Sequence, residues 1–248
     1  MRTFVTGDKH GNFKSTDDYF RLRDYCVGFN LNKDDVVIIL GDHGIHYDEG
    51  VHDKTSKAML AEFPVTFVMI RGNHDMRPRQ EWERVNIDKE NLKGRFWKDP
   101  DCSNILYTDE YGWYKFGGKD VFVIGGAYSV DKYYRLNMKL QGYTNFRWFP
   151  DEQLTEKERE DAGKMLLDHE GPFSIMSHTC PIRYTPREQF IAAVDQNSVD
   201  NSMEIWLDDL LSEVWNKHMD LQRWYCGHWH TDKVDDIMLF MYHDILEV

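Results

Sequence analysis

Two carboxylates, one amide and five histidines of this chain each stand directly behind a short apolar run. Asp8 and His10 follow Phe4-Val-Thr-Gly, and Asp42 follows Val36-Val-Ile-Ile-Leu-Gly. Asn73 and His74 follow Val65-Thr-Phe-Val-Met-Ile-Arg-Gly. His178 closes Phe173-Ser-Ile-Met-Ser, and His228 and His230 close Trp224-Tyr-Cys-Gly. Each has a plain reading on its own: a turn, a surface histidine, a hydrogen-bonded core histidine. Five such run ends in one chain make coincidence a poor account. Carboxylate and imidazole donors without thiolate suit Mn²⁺, Fe²⁺ or Zn²⁺ rather than Ca²⁺ or a structural zinc. Two divalent ions with two carboxylates and a bridging hydroxide leave a local charge of about +1, which favours a phosphate. Ions about 3.5–4 Å apart can hold phosphoryl oxygens and acidify a bridging water. A histidine outside the metal shell is then free to protonate the departing alkoxide.

These side chains meet only if the apolar runs are strands ending at one edge of a sheet. Residues 65–70 are β-branched and apolar over a length that suits a buried strand, and Gly72 frees the turn that follows. Residues 15–18 can cap a helix carrying Tyr19, Phe20, Leu22 and Tyr25. Residues 49–63 read as a second helix with Ala58, Met59 and Ala61 toward the core. The opening is therefore β-α-β-α-β, which implies parallel strands. Residues 78–100 are charged and are expected to begin as a helix. Strands are expected at 105–108, 114–116, 120–124 and 237–242. Helices are expected at 151–169 and 201–214, the second with Met203, Trp206, Leu207, Leu210 and Leu211 on one face. More strands and fewer crossovers in the second half imply a mixed sheet there, or a second sheet packed on the first.

The candidate site residues run from 8 to 230, so one domain over residues 1–248 is expected, with 128–150 as an insertion beside the cleft. The chain is long enough for a substantial core. A net charge of −13 argues against broad non-specific binding to nucleic acid or an anionic membrane. It leaves room for a small phosphorylated substrate, because metal charge dominates locally. No run of about 18 apolar residues marks a membrane span, and Met1-Arg-Thr-Phe-Val enters a strand without the apolar region of a signal peptide. Cys26, Cys102, Cys180 and Cys226 form no C-x-x-C pair and are expected as reduced core residues, which points to the cytoplasm.

In order, Gly7-Asp8-Lys-His10, Gly41-Asp42, Gly72-Asn73-His74-Asp75, His178 and Gly227-His228-Trp-His230 resemble the calcineurin-like metallophosphoesterase superfamily. The resemblance covers identities, order and strand-end placement over residues 8–230. It implies an α/β fold, a two-sheet mixed β-sandwich flanked by helices, with two divalent ions at the carboxyl ends of the strands. Mn²⁺ is the first expectation, Fe or Zn²⁺ the next. It also implies that Asp8, His10, Asp42 and His230 hold one ion, and that Asp42 bridges to a second held by Asn73, His178 and His228. His74 is then the general acid. The implied activity is hydrolysis of phosphomonoesters or phosphodiesters, nucleotides among them, by a metal-bridging hydroxide. One departure stands out. Many members continue Gly-Asp-x-x-Asp, and the protein phosphatases add Arg-Gly, whereas this chain reads Gly41-Asp42-His43-Gly44-Ile45-His46. Ile45 stands where the phosphatases carry the aspartate that orients the catalytic histidine, which sets the chain apart from that subgroup. His46 and Asp48 are candidates to replace that aspartate, although plain loop positions account for both.

Arg71, Arg77 and Arg79 flank the Asn73-His74 turn, and Arg71 is a candidate for the substrate anion, solvated charge being the plainer account. Residues 128–150 exceed the usual connection of about 4–6 residues and are rich in aromatics. They contain Arg135, whose guanidinium can grip phosphate oxygens in two places. This segment walls the cleft if the strand before it runs parallel to the others; the alternative is a surface subdomain with Arg135 in a salt bridge. Two further functions fit the same residues: a nuclease acting on nucleic-acid ends, and a non-catalytic metal-binding scaffold of the same fold. The acidic balance counts against the first, and the complete donor set against the second.

Overall fold

The computed structural model describes residues 1–11 and 17–248. Its opening alternates β1 (Thr3–Thr6), α1 (Asp17–Gly28), β2 (Val36–Leu40), α2 (Val51–Leu60) and β3 (Thr66–Ile70). The first two residues of the expected 15–18 cap lie outside the described residues. β1, β2 and β3 pair in parallel, with Val5 opposite Ile38 and Ile38 opposite Val68. All five residues of β2 are buried, as an unbroken apolar run in a parallel sheet requires.

Two expectations are corrected in this half. α2 buries Asp53, Ser56, Lys57 and Leu60, so Ala58 and Ala61 face solvent instead of the core. The buried stripe is polar for a reason. Asp53 accepts the backbone N–H groups of Tyr47, Asp48 and Glu49, fixing the loop after β2, and Lys57 meets Asp99 at 2.7 Å. Residues 78–100 begin with no helix; they carry the antiparallel hairpin β4 (Arg84–Lys89) and β5 (Leu92–Lys98), joined by Glu90-Asn91. Val85 and Ile87 alternate with polar residues at the period of a strand, a pattern hidden by the high charge.

The chain continues through β6 (Ile105–Tyr107), β7 (Tyr111–Phe116), β8 (Lys119–Ile124), α3 (Lys132–Leu140) and α4 (Glu156–Leu167). Then come β9 (Phe173–Ser177), α5 (Ser202–Asn216), β10 (Leu221–Cys226), β11 (Lys233–Asp235), β12 (Met238–Phe240) and β13 (Leu246–Glu247). α4 starts on a capping box between Thr155 and Glu158. Where two sheets were expected, the described strands form one mixed sheet in the order β11-β12-β10-β9-β8-β7-β5-β6-β3-β2-β1-β13, with β4 on β5. β5 is the joint: one end pairs with β7 through Leu92, the other with β6 through Trp97.

Alternate strand residues divide the core into three layers. Phe4, Val37, Ile39 and Phe67 pack with Leu22 of α1 and Leu60 of α2. Phe122, Ile175 and Trp224 pack with Leu166 of α4 and Leu207 and Leu211 of α5. The residues between them on the strands, Val5, Ile38 and Val68 from one half and Val121, Val123 and Met176 from the other, form one shared cluster. The sheet therefore curls until its halves face each other across that cluster. β8, β9 and β10 are parallel, so the connection after β8, residues 128–150, leaves at the edge where β9 and β10 end.

Candidate metal centre

Strained backbone marks the ends of these strands. Among the described residues eight non-glycine residues have positive φ, and His10 (47°), Asp42 (44°), His228 (67°) and His230 (48°) are four of them. Such conformations cost of order 1–3 kcal/mol each and persist where the surroundings hold them. Two glycines make the crowding possible. A Cβ on Gly41, itself at φ +91°, would lie 2.1 Å from His178 Nδ1, and one on Gly72 would lie 2.1 Å from Asp42 Oδ1. Only hydrogen in place of a side chain lets the loops after β2, β3 and β9 close on one point.

All eight expected residues gather there. Asp8, His10 and His230 each offer an atom within 4.8 Å of the others; His10 Nε2 is 2.9 Å from His230 Nε2, which is 3.5 Å from Asp8 Oδ2. Asp42 stands in the middle. Its Oδ2 is 3.9 Å from His10 Nε2 and 4.0 Å from His74 Nε2, and its Oδ1 is 3.5 Å from His178 Nε2. The His178 and His228 rings are 4.9 Å apart. Burial raises the Asp42 carboxyl, but the His74, His178 and His10 imidazoles outweigh it and hold it well below the usual range. Asp8 goes the other way: burial, then the Asp42 charge, pushes it well up. Burial also holds His74 and His230 down, each to about 4.

The donor orientations fit a cation. Both Asp8 oxygens are buried without a hydrogen-bond partner, a costly state for a carboxylate. His178 Nδ1 donates to the Leu40 carbonyl at 2.7 Å, so its Nε2 carries the lone pair. That nitrogen faces Asn73 Oδ1 at 2.8 Å. The Asn73 amide cannot be turned to supply a proton: its Nδ2 donates to Ser129 Oγ (2.9 Å), which donates to Glu152 Oε2 (2.5 Å). Two acceptors thus face each other, an arrangement that a positive ion between them would satisfy.

Other expected residues fall differently. Arg71 is not part of the cleft; it is buried, with Nε on Glu110 (2.5 Å) and Nη1 on the Glu152 carbonyl (3.0 Å). Arg77 pairs with Glu158 and Arg79 with Glu49. Ile45 is buried in the core under α1 and α2. His46 bonds the Arg77 carbonyl and packs on Trp82, while Asp48 accepts the Gly50 N–H, so their observed contacts lie away from His74. The group against His74 is Arg135 of α3, whose Nη2 donates to His74 Nε2 at 3.2 Å. Arg135 also pairs with Asp131 (2.7 Å) and donates to Tyr47 Oη (3.1 Å). Arg135 thus makes a salt bridge and also lines the clefts beside His74.

Several contributors were not foreseen. Ser129 and Glu152 fix Asn73. Asp75 accepts the N–H groups of Gly72 (2.9 Å), His43 and Gly44 (both 3.3 Å), tying the β3 loop to the β2 loop. The 24-residue connection between β9 and α5 brings Phe190, Ile191 and Val194 to a cleft of about 360 Å³ beside His228 and His230. Its length and the apolar stretch Phe190-Ile-Ala-Ala-Val194 were the available signals.

An α/β fold that collects imidazole and carboxylate donors at one sheet edge defines a metal-site protein of a particular class. The calcineurin-like phosphoesterase family profile matches residues 1–232, and the chain belongs to that family. A search of curated proteins finds no match. Solved structures that match include a protein of unknown function from Aquifex aeolicus, at 10% identity and TM-score 0.41, with 99% of this chain and 95% of that one covered. A candidate 5'-nucleotidase from Staphylococcus aureus in complex with alpha-ketoglutarate matches at 11% identity and TM-score 0.47, with 98% of this chain and 49% of that one covered. This chain thus spans about half the length of the latter. Among the described residues no helix is long and apolar enough to cross a membrane.

Proposed function

We propose that this chain is a dinuclear metal-dependent phosphoesterase of the cytoplasm, acting as one domain on a small phosphorylated substrate. The observation that carries the reading is the pair of facing acceptors, His178 Nε2 and Asn73 Oδ1, beside a buried Asp8 carboxylate whose oxygens accept no hydrogen bond and lie 3.5–3.6 Å from the His230 and His178 rings. Asp8, His10, Asp42 and His230 would hold one ion; Asn73, His178 and His228 would hold the other with Asp42 between them. Mn²⁺ suits this donor set, with Fe or Zn²⁺ the alternatives. Such ions, when bound, polarise the phosphoryl oxygens and lower the pKa of a water.

The rest falls to the chain itself. The Leu40 carbonyl fixes the His178 tautomer, and Ser129 with Glu152 keeps the Asn73 oxygen turned inward. In the geometry described His74 Nε2 accepts from Arg135, so it takes up a proton, and gives it to the departing oxygen, only after a phosphoryl group has displaced that contact. The Arg135 guanidinium, which faces that nitrogen, holds a phosphoryl oxygen. An anionic phosphoryl group between the two gives each a negative partner in place of one another. On the same reading, the two halves of the curled sheet are the layers of a sandwich joined through β5.

The test is metal content and turnover together. Two ions per chain by elemental analysis, with Mn²⁺-dependent hydrolysis of p-nitrophenyl phosphate, bis-p-nitrophenyl phosphate or a member of a nucleotide panel, is the expected result. Asp42→Ala removes a donor from both ions at once and lowers both quantities. Two ions and full turnover in that variant would take Asp42 out of the site.

A further inference from the structure

Two clefts meet at the candidate centre, and their walls differ. His10, His74 and Arg135 line both. On one side a lobe of about 310 Å³ is walled by Tyr47, Asp48, His52 and Asn145. On the other, the lobe of about 360 Å³ is walled by Val130, Phe190, Ile191, Val194, Val199 and Trp229, together with the polar Asp131, Gln189, Gln196 and Asn201. Its apolar residues come mainly from the β9–α5 connection, which holds no regular element longer than the one-turn pieces Ile182–Tyr184, Arg187–Gln189 and Gln196–Ser198. Ile191 is 54% exposed and Phe190 37%, and the Phe190 and Trp229 rings lie 6.1 Å apart at an interplanar angle of 30°. Apolar side chains grouped at the mouth of a polar site, on a long connection, suit a ligand that covers them.

Resting on the phosphoesterase reading above, we infer that the substrate is a phosphodiester with one apolar arm. A phosphorus atom near His10, His74 and Arg135 has a lobe on either side. A monoester has one organic substituent and fills one lobe; a diester fills both. The chemistry of the walls assigns the arms. The group seated against Phe190, Ile191 and Val194 is a hydrocarbon chain or an aromatic ring, and the group beside Tyr47, Asp48 and Asn145 is polar or small. Phe190, Ile191 and Val194 are then specificity-determining residues.

Methyl alkyl phosphates test this, with the second alkyl group lengthened from methyl to butyl and hydrolysis followed by phosphorus NMR in the Mn²⁺-loaded protein. kcat/KM is expected to rise about fourfold for each added methylene, the value of burying that group, and the diesters are expected to outrun the alkyl monoesters of equal length. Ile191→Asp and Val194→Ser should each flatten the butyl-to-methyl ratio. A ratio near one in the parent protein, a ratio that the two variants leave intact, or a preference for monoesters would overturn the inference while leaving the phosphoesterase reading in place. Absence of turnover on these and on the p-nitrophenyl esters, with two ions bound, would instead remove that reading and this inference together.

Discussion

At the scale of the residue, the site is a set of atoms whose alternatives have been used up. His178 gives its one proton to Leu40, Asn73 gives its amide hydrogen to Ser129, and each is left with a lone pair aimed at the other. The eight principal residues were legible in the sequence because each follows an apolar run, and the chemistry needs those types. Ser129 and Glu152 were not, because serine and glutamate occur everywhere and nothing near Asn73 in sequence points to them. Arg71 misled because it stands beside Gly72 in sequence, yet its side chain turns to Glu110. Among the described residues the groups beside the His74 ring include Asp42, at 4.0 Å, and Arg135, at 3.2 Å. His74→Asn should keep both ions and lose about 10²–10⁴-fold in turnover on esters with poor leaving groups. An activated p-nitrophenyl ester needs less protonation and should lose less. Equal losses on both, measured with metal content unchanged, would count against proton donation by His74.

At the scale of the element, what the sequence hides is which polar segment becomes which structure. The β4–β5 hairpin was misread as the start of a helix because charge masked its period-two alternation. The α2 stripe is hidden from an apolar pattern because three of its four buried positions, Asp53, Ser56 and Lys57, are polar, and Asp53 holds the loop before the helix through hydrogen bonds. α3 shows the opposite case. No clean period announced it, yet it is the element that brings Arg135 to His74, with Tyr47 Oη and the Arg147 carbonyl holding the guanidinium from the side. A guanidinium pinned at three points beside a candidate phosphoryl site is already oriented, so little freedom is lost on binding. Arg135→Ala should retain both ions and lower kcat/KM by at least about tenfold, roughly 1.4 kcal/mol of transition-state stabilisation. Unchanged kinetics would leave Arg135 as a tie between α3 and the β2 loop.

At the scale of the whole molecule, the site depends on two halves of a curled sheet staying in register, and α5 clamps one of them from behind. Parallel order of β1, β2 and β3 was legible from the alternation of apolar runs with helices. The joint at β5 was not, because it rests on which ends of β5 meet β6 and β7, and that pairing is long-range. α5 buries Met203, Leu207, Leu210, Leu211 and Val214, and with them Glu204, which accepts from Thr179 Oγ1 at 2.8 Å, one residue beyond His178. The other oxygen of Glu204 is buried without a partner. Burial, opposed in part by the Thr179 hydrogen bond, pushes this carboxyl up to about 7 from 4.5. The sign follows from proton counts. Between those two values the folded chain holds a proton that the unfolded chain has lost, so stability falls as pH rises through that window and levels off above 7. Glu204→Gln keeps an oxygen for Thr179 and carries no charge to bury. Its stability relative to the parent should therefore climb from near zero at pH 4 to roughly 3 kcal/mol at pH 8. Urea unfolding of both proteins across that range measures it, and because each is compared with the other at the same pH, the self-repulsion of a chain with net charge −13 cancels. A difference that stays constant from pH 4 to pH 8 would mean that Glu204 titrates at an ordinary value and that α5 is held by its apolar face alone.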